Sequence, residues 1–114
     1  MSDLSPLALY LRTINVYEEN RKENIPPGVN APERLSLNFL KNAGSSLGNG
    51  EQLVPIPVRL RPLVIDDITN IECLLEEAAE EHQEMDIDLA YAYYQSARLA
   101  HNIKQHLVRS LENN

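Results

Sequence analysis

The sequence predicts a mainly α-helical protein, and two observations lead to this fold class. From residue 66 to residue 114 the chain has neither glycine nor proline, the residues that most often interrupt a helix. Over the same stretch apolar residues recur every three or four positions, which places them along one helix face. We therefore expect an N-terminal helix, a Pro-rich extended connector with one strand-like segment, and a C-terminal helical hairpin or single long helix.

Residues 1–21 are predicted to hold an N-terminal amphipathic helix that begins near Ser5. Ser5 suits the capping position, and Pro6 follows where a backbone N–H would have no helical partner. The apolar face of this helix consists of Leu7, Leu11, Ile14 and Tyr17, with Tyr10 beside them. The helix is expected to end before the Pro26-Pro27 pair.

Residues 22–52 are predicted to be mostly connector, with room for one short helix. Asn30 would cap that helix and Gly44 would stop it. The apolar residues between them partly alternate, which argues against a helix. Residues 44–50, rich in glycine and serine, are expected to form a flexible tether.

Residues 53–64 are predicted to be extended because apolar residues alternate there with prolines and arginines. The alternating apolar residues are Val54, Ile56, Val58 and Leu60. Proline lacks a backbone donor, so an edge strand or a polyproline segment fits better than a central strand. No second segment alternates as well, so this one either lies over the helices or pairs with another molecule. Its four apolar residues are therefore candidate partner-binding residues.

Residues 65–114 are predicted to be helical from about Asp66 onward, and two arrangements fit. One is a single helix of roughly 45 residues, about 70 Å long. The other is an antiparallel hairpin that turns near residues 85–88, with Asp86 or Asp88 capping its second helix. The hairpin is favoured because a helix so long needs a partner along its whole length. The unbroken apolar seam fits the single helix.

Acidic side chains dominate this C-terminal stretch. Residues 66–88 carry ten carboxylates and no basic residue: Asp66, Asp67, Glu72, Glu76, Glu77, Glu80, Glu81, Glu84, Asp86 and Asp88. We expect the carboxylates to face solvent or a basic partner, and a seam of Ile68, Ile71, Leu75 and Ala78 to be buried. The net charge of −7 argues against a nucleic-acid surface.

The tyrosine cluster Tyr91, Tyr93 and Tyr94 has two interpretations. Tyrosines can cover the edge of a core while their hydroxyls stay in water, and they are also frequent at interface hot spots. Tyr91 and Tyr94 are therefore candidate partner-binding residues.

No residue pattern predicts catalysis, a cofactor or a metal site, so we expect a protein that is not an enzyme. His101 and His106 are five residues apart and do not share a helix face as a metal pair would. Cys73 is expected to be a half-buried structural thiol. A lone cysteine fits a reducing compartment, and there is no apolar run near 18 residues. An intracellular protein, cytoplasmic or nuclear, is the expectation.

Two short motifs suggest an alternative role. The run Lys22, Glu23 and Asn24 resembles a KEN box. Arg34, Leu37 and Asn42 stand at the spacing of a destruction box, which they resemble. The resemblance covers residues 22–42 only and is one of motif. It implies a cell-cycle regulator, a substrate or pseudosubstrate inhibitor, that binds coactivators of the anaphase-promoting complex.

Together these features predict a non-enzymatic protein-binding subunit or adaptor of an intracellular complex. It would act through helical packing and the extended edge segment. The expected partners are proteins, including ones with a basic surface, or a second copy of the chain. Nucleic acid, membrane, small-molecule substrates and cofactors are not expected. The alternative is the degron-bearing cell-cycle regulator.

Overall fold

The computed structural model describes residues 5–24, 31–48 and 56–112, which form a bundle of four helices. The helices are α1 (Pro6–Asn24), α2 (Ala31–Gly48), α3 (Arg61–His82) and α4 (Ile87–Glu112), and one 3-10 turn (Val58–Leu60) precedes α3. No strand occurs within these three ranges. The predicted mainly α fold class is confirmed.

Helix α1 begins as predicted and runs to Asn24, three residues further than expected. The backbone N–H of Ala8 donates to the Ser5 hydroxyl at 3.2 Å, so Ser5 caps the first turn. The inward face of the helix is centred on Leu9, Tyr10 and Ile14, which are fully buried.

Helix α2 is longer than the sequence indicated, because residues 31–48 are helical throughout and Gly44 does not stop the helix. Gly44 has a packing role instead. A Cβ atom at this position would lie 2.7 Å from Tyr10 Cε1, so only glycine lets the Tyr10 ring approach α2 closely. The Tyr10 hydroxyl donates to the Leu40 carbonyl at 2.7 Å. The tether prediction is therefore wrong for residues 44–48, and residues 49 and 50 lie outside the described ranges.

The strand-like segment is not confirmed where the structure describes it. Ile56, Leu60 and Val64 are all buried, and their four-residue spacing is that of one face of a helical turn. Val58 points outward. The alternating apolar residues thus include a set at four-residue spacing, and this set is the one that is buried. Helix α3 starts at Arg61, five residues before the expected Asp66.

The C-terminal half is a helical hairpin, the favoured arrangement. A turn at residues 83–85 separates α3 from α4. The backbone N–H of Leu89 donates to Asp86 Oδ1 at 3.2 Å, so Asp86 caps α4. The seam of α3 is buried at Ile68, Ile71 and Leu75, and its next buried residue is Ala79 where Ala78 was expected.

Asp67 is the exception to the expected outward placement of the carboxylates. Its side chain is fully buried and accepts hydrogen bonds from the Ser36 hydroxyl at 2.7 Å and the Tyr17 hydroxyl at 2.9 Å. The bonds tie α1 and α2 to α3. The expectation that all ten carboxylates face outward is therefore wrong at Asp67, while eight others are exposed.

Candidate functional site

The end of the hairpin exposes large apolar side chains that nothing in the described ranges covers. Their exposed fractions are 87% for Met85, 75% for Ile87, 65% for Tyr91 and 43% for Tyr94. The last three follow one another at spacings of four and three residues, so they lie along one face of α4. We call these four residues the hairpin stripe. Contiguous exposed apolar groups of this size commonly mark interaction sites.

A groove runs beside the stripe, between α3 and α4. It encloses about 520 Å³ and opens to solvent. Its walls are Glu72, Glu76 and Glu80 on α3 and Tyr94, Gln95, Ala97, Arg98 and His101 on α4. Ala97 is buried and forms part of the floor. We call this feature the hairpin groove, and Tyr94 belongs to both the groove and the stripe.

The charges of the groove are balanced at one end only. Glu72 is 2.9 Å from His101 Nδ1 and 3.9 Å from Lys104 Nζ, and its side chain is largely shielded from water. Glu76 and Glu80 are exposed and form no ion pair with another described residue. The groove is therefore neutralised by its own chain near His101 and keeps its negative charge towards the turn.

The charge imbalance follows from the distribution of basic residues along the chain. Between Arg61 and Arg98 there is no lysine or arginine. In an antiparallel hairpin, this places the acidic half of α3 beside residues 87–97 of α4, which include no lysine or arginine. The basic residues of α4 come later, at Arg98, Lys104 and Arg109. The turn end of the hairpin is thus acidic, and the opposite end carries the cations.

The inward face of α4 explains why the tyrosines divide into two groups. Small buried residues, among them Ala90, Ala97 and Ala100, let α4 pack closely on its neighbours. Tyr93 lies at the edge of this face, where its ring stacks on His82 with a centroid distance of 5.7 Å. Tyr91 and Tyr94 point outward. Tyr93 therefore fits the core-edge interpretation, and partner binding by Tyr91 and Tyr94 stays a prediction.

The candidate residues of the extended segment do not come together with Tyr91 and Tyr94 as one surface. Ile56 and Leu60 are corrected to core residues, since both are buried within the chain itself. Val58 is exposed, and Val54 lies outside the described ranges. Sequence reasoning did not select Met85 and Ile87. Only the position of the turn shows that both side chains lie outside the bundle.

The degron-like residues lie in helices. Lys22, Glu23 and Asn24 form the last residues of α1, and Arg34 belongs to the first turn of α2. The side chains of these four lie outside the described part of the structure. Leu37 is fully buried, and Asn42 is exposed on α2. A reader of extended peptides would have to unwind α2 to reach Leu37, and binding to a coactivator stays an untested prediction.

The side chains that could take part in catalysis or metal binding are dispersed over the structure. Within the described ranges no three residues among histidine, cysteine, aspartate and glutamate form a group that could hold a metal ion. Cys73 is exposed on the outer face of α3 and is not the half-buried thiol that was expected. His101 contacts Glu72, and His106 is exposed on α4.

Comparisons of the chain with protein-family models, with curated proteins and with solved structures found no match. None of the helices, over the residues that the structure describes, has the length and apolar character needed to cross a membrane.

Proposed function

We propose that this protein is a non-enzymatic binding subunit that holds a partner protein with a basic contact surface against the turn end of its hairpin. The observation that carries the proposal is the hairpin stripe, in which Ile87 and Tyr91 are both mostly exposed. The nearby Glu84 and Asp88 are exposed and form no ion pair with another described residue. An apolar and aromatic centre within a polar rim is the usual composition of protein interfaces.

Charge complementarity selects the partner. The stripe is bordered by Glu80, Glu84 and Asp88, and no cation of the chain is close to them in sequence. A basic partner would be attracted from a distance and would be held at contact by burial of the apolar stripe. An acidic partner would meet repulsion at the same place.

The cavity inside the bundle is a poor candidate for a recognition site, and this favours recognition by the outer surface. An apolar cavity of about 110 Å³ lies among Phe39, Ile56, Val64 and Leu107. Typical small-molecule sites are roughly 300 to 1,000 Å³ and contain convergent polar groups. This cavity is smaller and mostly apolar, with Asn42 and Ser46 as its polar lining residues, so an extended outer surface is a better candidate for recognition.

The proposal is tested by purifying the tagged full-length chain from its native cells. The stripe variant combines Ile87→Ser with Tyr91→Ser, and Val16→Ser on α1 is the matched control because Val16 is also an exposed apolar residue. We expect one protein to co-purify in fixed stoichiometry, to re-form the complex from purified components, and to be released by salt. The stripe variant should lose it and the control should keep it. A stoichiometric partner that binds both variants equally, or no such partner, would overturn the proposal.

A further inference from the structure

The geometry points to one class of occupant for the hairpin groove: an amphipathic helix of the partner, basic where it passes Glu76 and Glu80, that packs as an additional helix against α3 and α4. This inference rests on the proposed function and specifies how the partner is held. Its basis is the shape of the groove, the small residue on its floor and the unequal charge along its length.

The shape of the groove suits a helix. Its two walls are helices, and each presents one side chain per turn: Glu72, Glu76 and Glu80 on α3, and Tyr94, Arg98 and His101 on α4. Ridges of this kind accept the side-chain rows of another helix at an interaxial distance of about 8–10 Å. Ala97 on the floor leaves room for such an approach. A partner strand has no place to pair, because the described ranges contain no sheet edge.

The length of the surface sets the size of the partner helix. Ile87 and His101 are fourteen residues apart on α4, which corresponds to about 21 Å at 1.5 Å per residue. A helix of about four turns therefore covers the groove and the stripe together. Its apolar side chains would contact Tyr91, Tyr94 and Ala97, which lie along this length.

The charge of the groove sets the polarity of the partner. Arginine or lysine is favoured opposite Glu76 and Glu80, whose carboxylates have no partner among the described residues. Arginine has an additional advantage at Tyr94, because its planar guanidinium can stack on the ring while it pairs with a carboxylate. Near His101 the chain supplies its own cations, Arg98 in the groove wall and Lys104 beside Glu72, so the partner should be neutral or acidic there.

The test uses the full-length protein and a synthetic helical probe of about 18 residues with leucine and alanine on its apolar face and arginines beside it. A second probe replaces the arginines with glutamines. Binding is measured by fluorescence anisotropy, and the contact surface is mapped from changes in the backbone amide resonances. We expect the basic probe to bind at the groove, with the largest changes around Glu76, Glu80 and Tyr94, and to become helical on binding.

Two variants of equal net charge distinguish binding at the groove from a general attraction of the probe to an acidic protein. Glu76→Gln with Glu80→Gln removes two carboxylates from the groove, whereas Glu77→Gln with Glu81→Gln removes two from another face of the same helix. The groove pair should weaken binding of the basic probe by about tenfold and the control pair by less than about threefold.

Three outcomes of the probe experiment would overturn the inference. They are equal losses in the two variants, resonance changes confined to another face, and equal binding of the glutamine probe. A dimer of the free protein that is lost in the Ile87→Ser, Tyr91→Ser variant would also overturn it, by identifying a second copy as the occupant. If the native partner depends on Ile87 and Tyr91 while the probe ignores the groove, the helical mode fails and the proposed function stands.

Discussion

At the scale of single residues, buried polar groups set the docking of the helices. Asp67 accepts hydrogen bonds from hydroxyl groups on two other helices, and Asn70 Nδ2 donates to Tyr17 Oη at 3.1 Å beside it. The sequence placed Asp67 in a run of ten acids, but helical spacing puts it on the apolar face with Val64 and Ile71, whereas Asp66 falls on the opposite face. The spacing could therefore have indicated its burial, but its partners Ser36 and Tyr17 are distant in the chain and could not be identified from the sequence pattern.

The first prediction concerns Ser36. Replacing it with alanine should lower the free energy of unfolding by about 1.5–3 kcal/mol, because a buried carboxylate then loses a donor. Urea denaturation measures the change. Ser45→Ala is the control, since Ser45 is less buried and its hydroxyl donates at 3.4 Å to a main-chain carbonyl. Equal free energies of unfolding for the two variants would show that the hydrogen bond from Ser36 to Asp67 contributes no more to stability than the bond from Ser45.

The second prediction concerns Tyr10 at alkaline pH. Burial raises the pKa of the Tyr10 hydroxyl above its ordinary value of 10.0. Above pH 10 the unfolded chain therefore gives up this proton while the folded chain keeps it, so stability falls as pH rises. The slope attributable to one such group is at most about 1.4 kcal/mol per pH unit.

Tyr10→Phe should remove this component of the slope, whatever it does to stability at neutral pH. Denaturant unfolding at a series of pH values from neutral to above 10 measures it, and Tyr94→Phe serves as the control at an exposed position. Identical slopes for wild type and Tyr10→Phe would contradict the assignment.

At the scale of elements, the prediction succeeded where a single periodicity was present and failed where two overlapped. Helix α1 and the hairpin were predicted because their caps and their 3-4 spacing agree. The segment from Ile56 to Leu60 satisfies both a period of two and a period of four, and burial against the bundle selects the second. Gly44 was taken as the end of α2 because glycine commonly ends a helix. Its contact with Tyr10 joins two helices and is not visible in the sequence.

The third prediction tests this interpretation of Gly44. Alanine at position 44 would place a Cβ atom against the Tyr10 ring, and we expect a loss of about 1–3 kcal/mol in spite of the better helix propensity of alanine. Asn42→Ala on the exposed face of the same helix should be neutral or slightly stabilising. Thermal and urea unfolding measure both variants. The loss should shrink in a Tyr10→Leu background, and an undiminished loss there would show that the ring is not the cause.

The fourth prediction separates the two sides of the turn that precedes α3. Ile56→Asp should destabilise the protein by several kcal/mol, because it places a carboxylate in the core. Val58→Asp should change stability by less than about 0.5 kcal/mol, because that side chain is exposed. Thermal unfolding followed by circular dichroism measures both. Equal tolerance of the two changes would favour the extended, partner-facing segment that the sequence suggested.

At the scale of the whole molecule, the residues of the proposed binding surface could be predicted in part. Tyr91 and Tyr94 were recognisable as amphipathic side chains near an acidic run. Met85 and Ile87 were not, because a residue next to a turn can face either way until the neighbouring helices are placed. The same limit applies to the groove, which exists only because α3 and α4 lie side by side. Composition indicated the acidic character, and the fold determines where that charge is left unpaired.

The last prediction concerns association kinetics. Reversal of charge at Glu76, Glu80 and Glu84 to lysine should slow the association of the basic probe by about tenfold or more at low salt and reduce the salt dependence of the rate. The dissociation rate should change less, since steering acts before contact and the apolar stripe is intact. Stopped-flow mixing at two ionic strengths measures both rates.

The matched variant reverses Asp66, Glu77 and Glu81, which carry the same charge on other parts of α3. It changes the net charge of the protein equally, so long-range attraction falls in both variants. Only the groove variant also reverses carboxylates that line the groove, Glu76 and Glu80, and its association rate should be the lower of the two. Equal rates would mean that the net charge alone steers the partner, and an unchanged rate in both would mean that the acidic face serves solubility and not recognition.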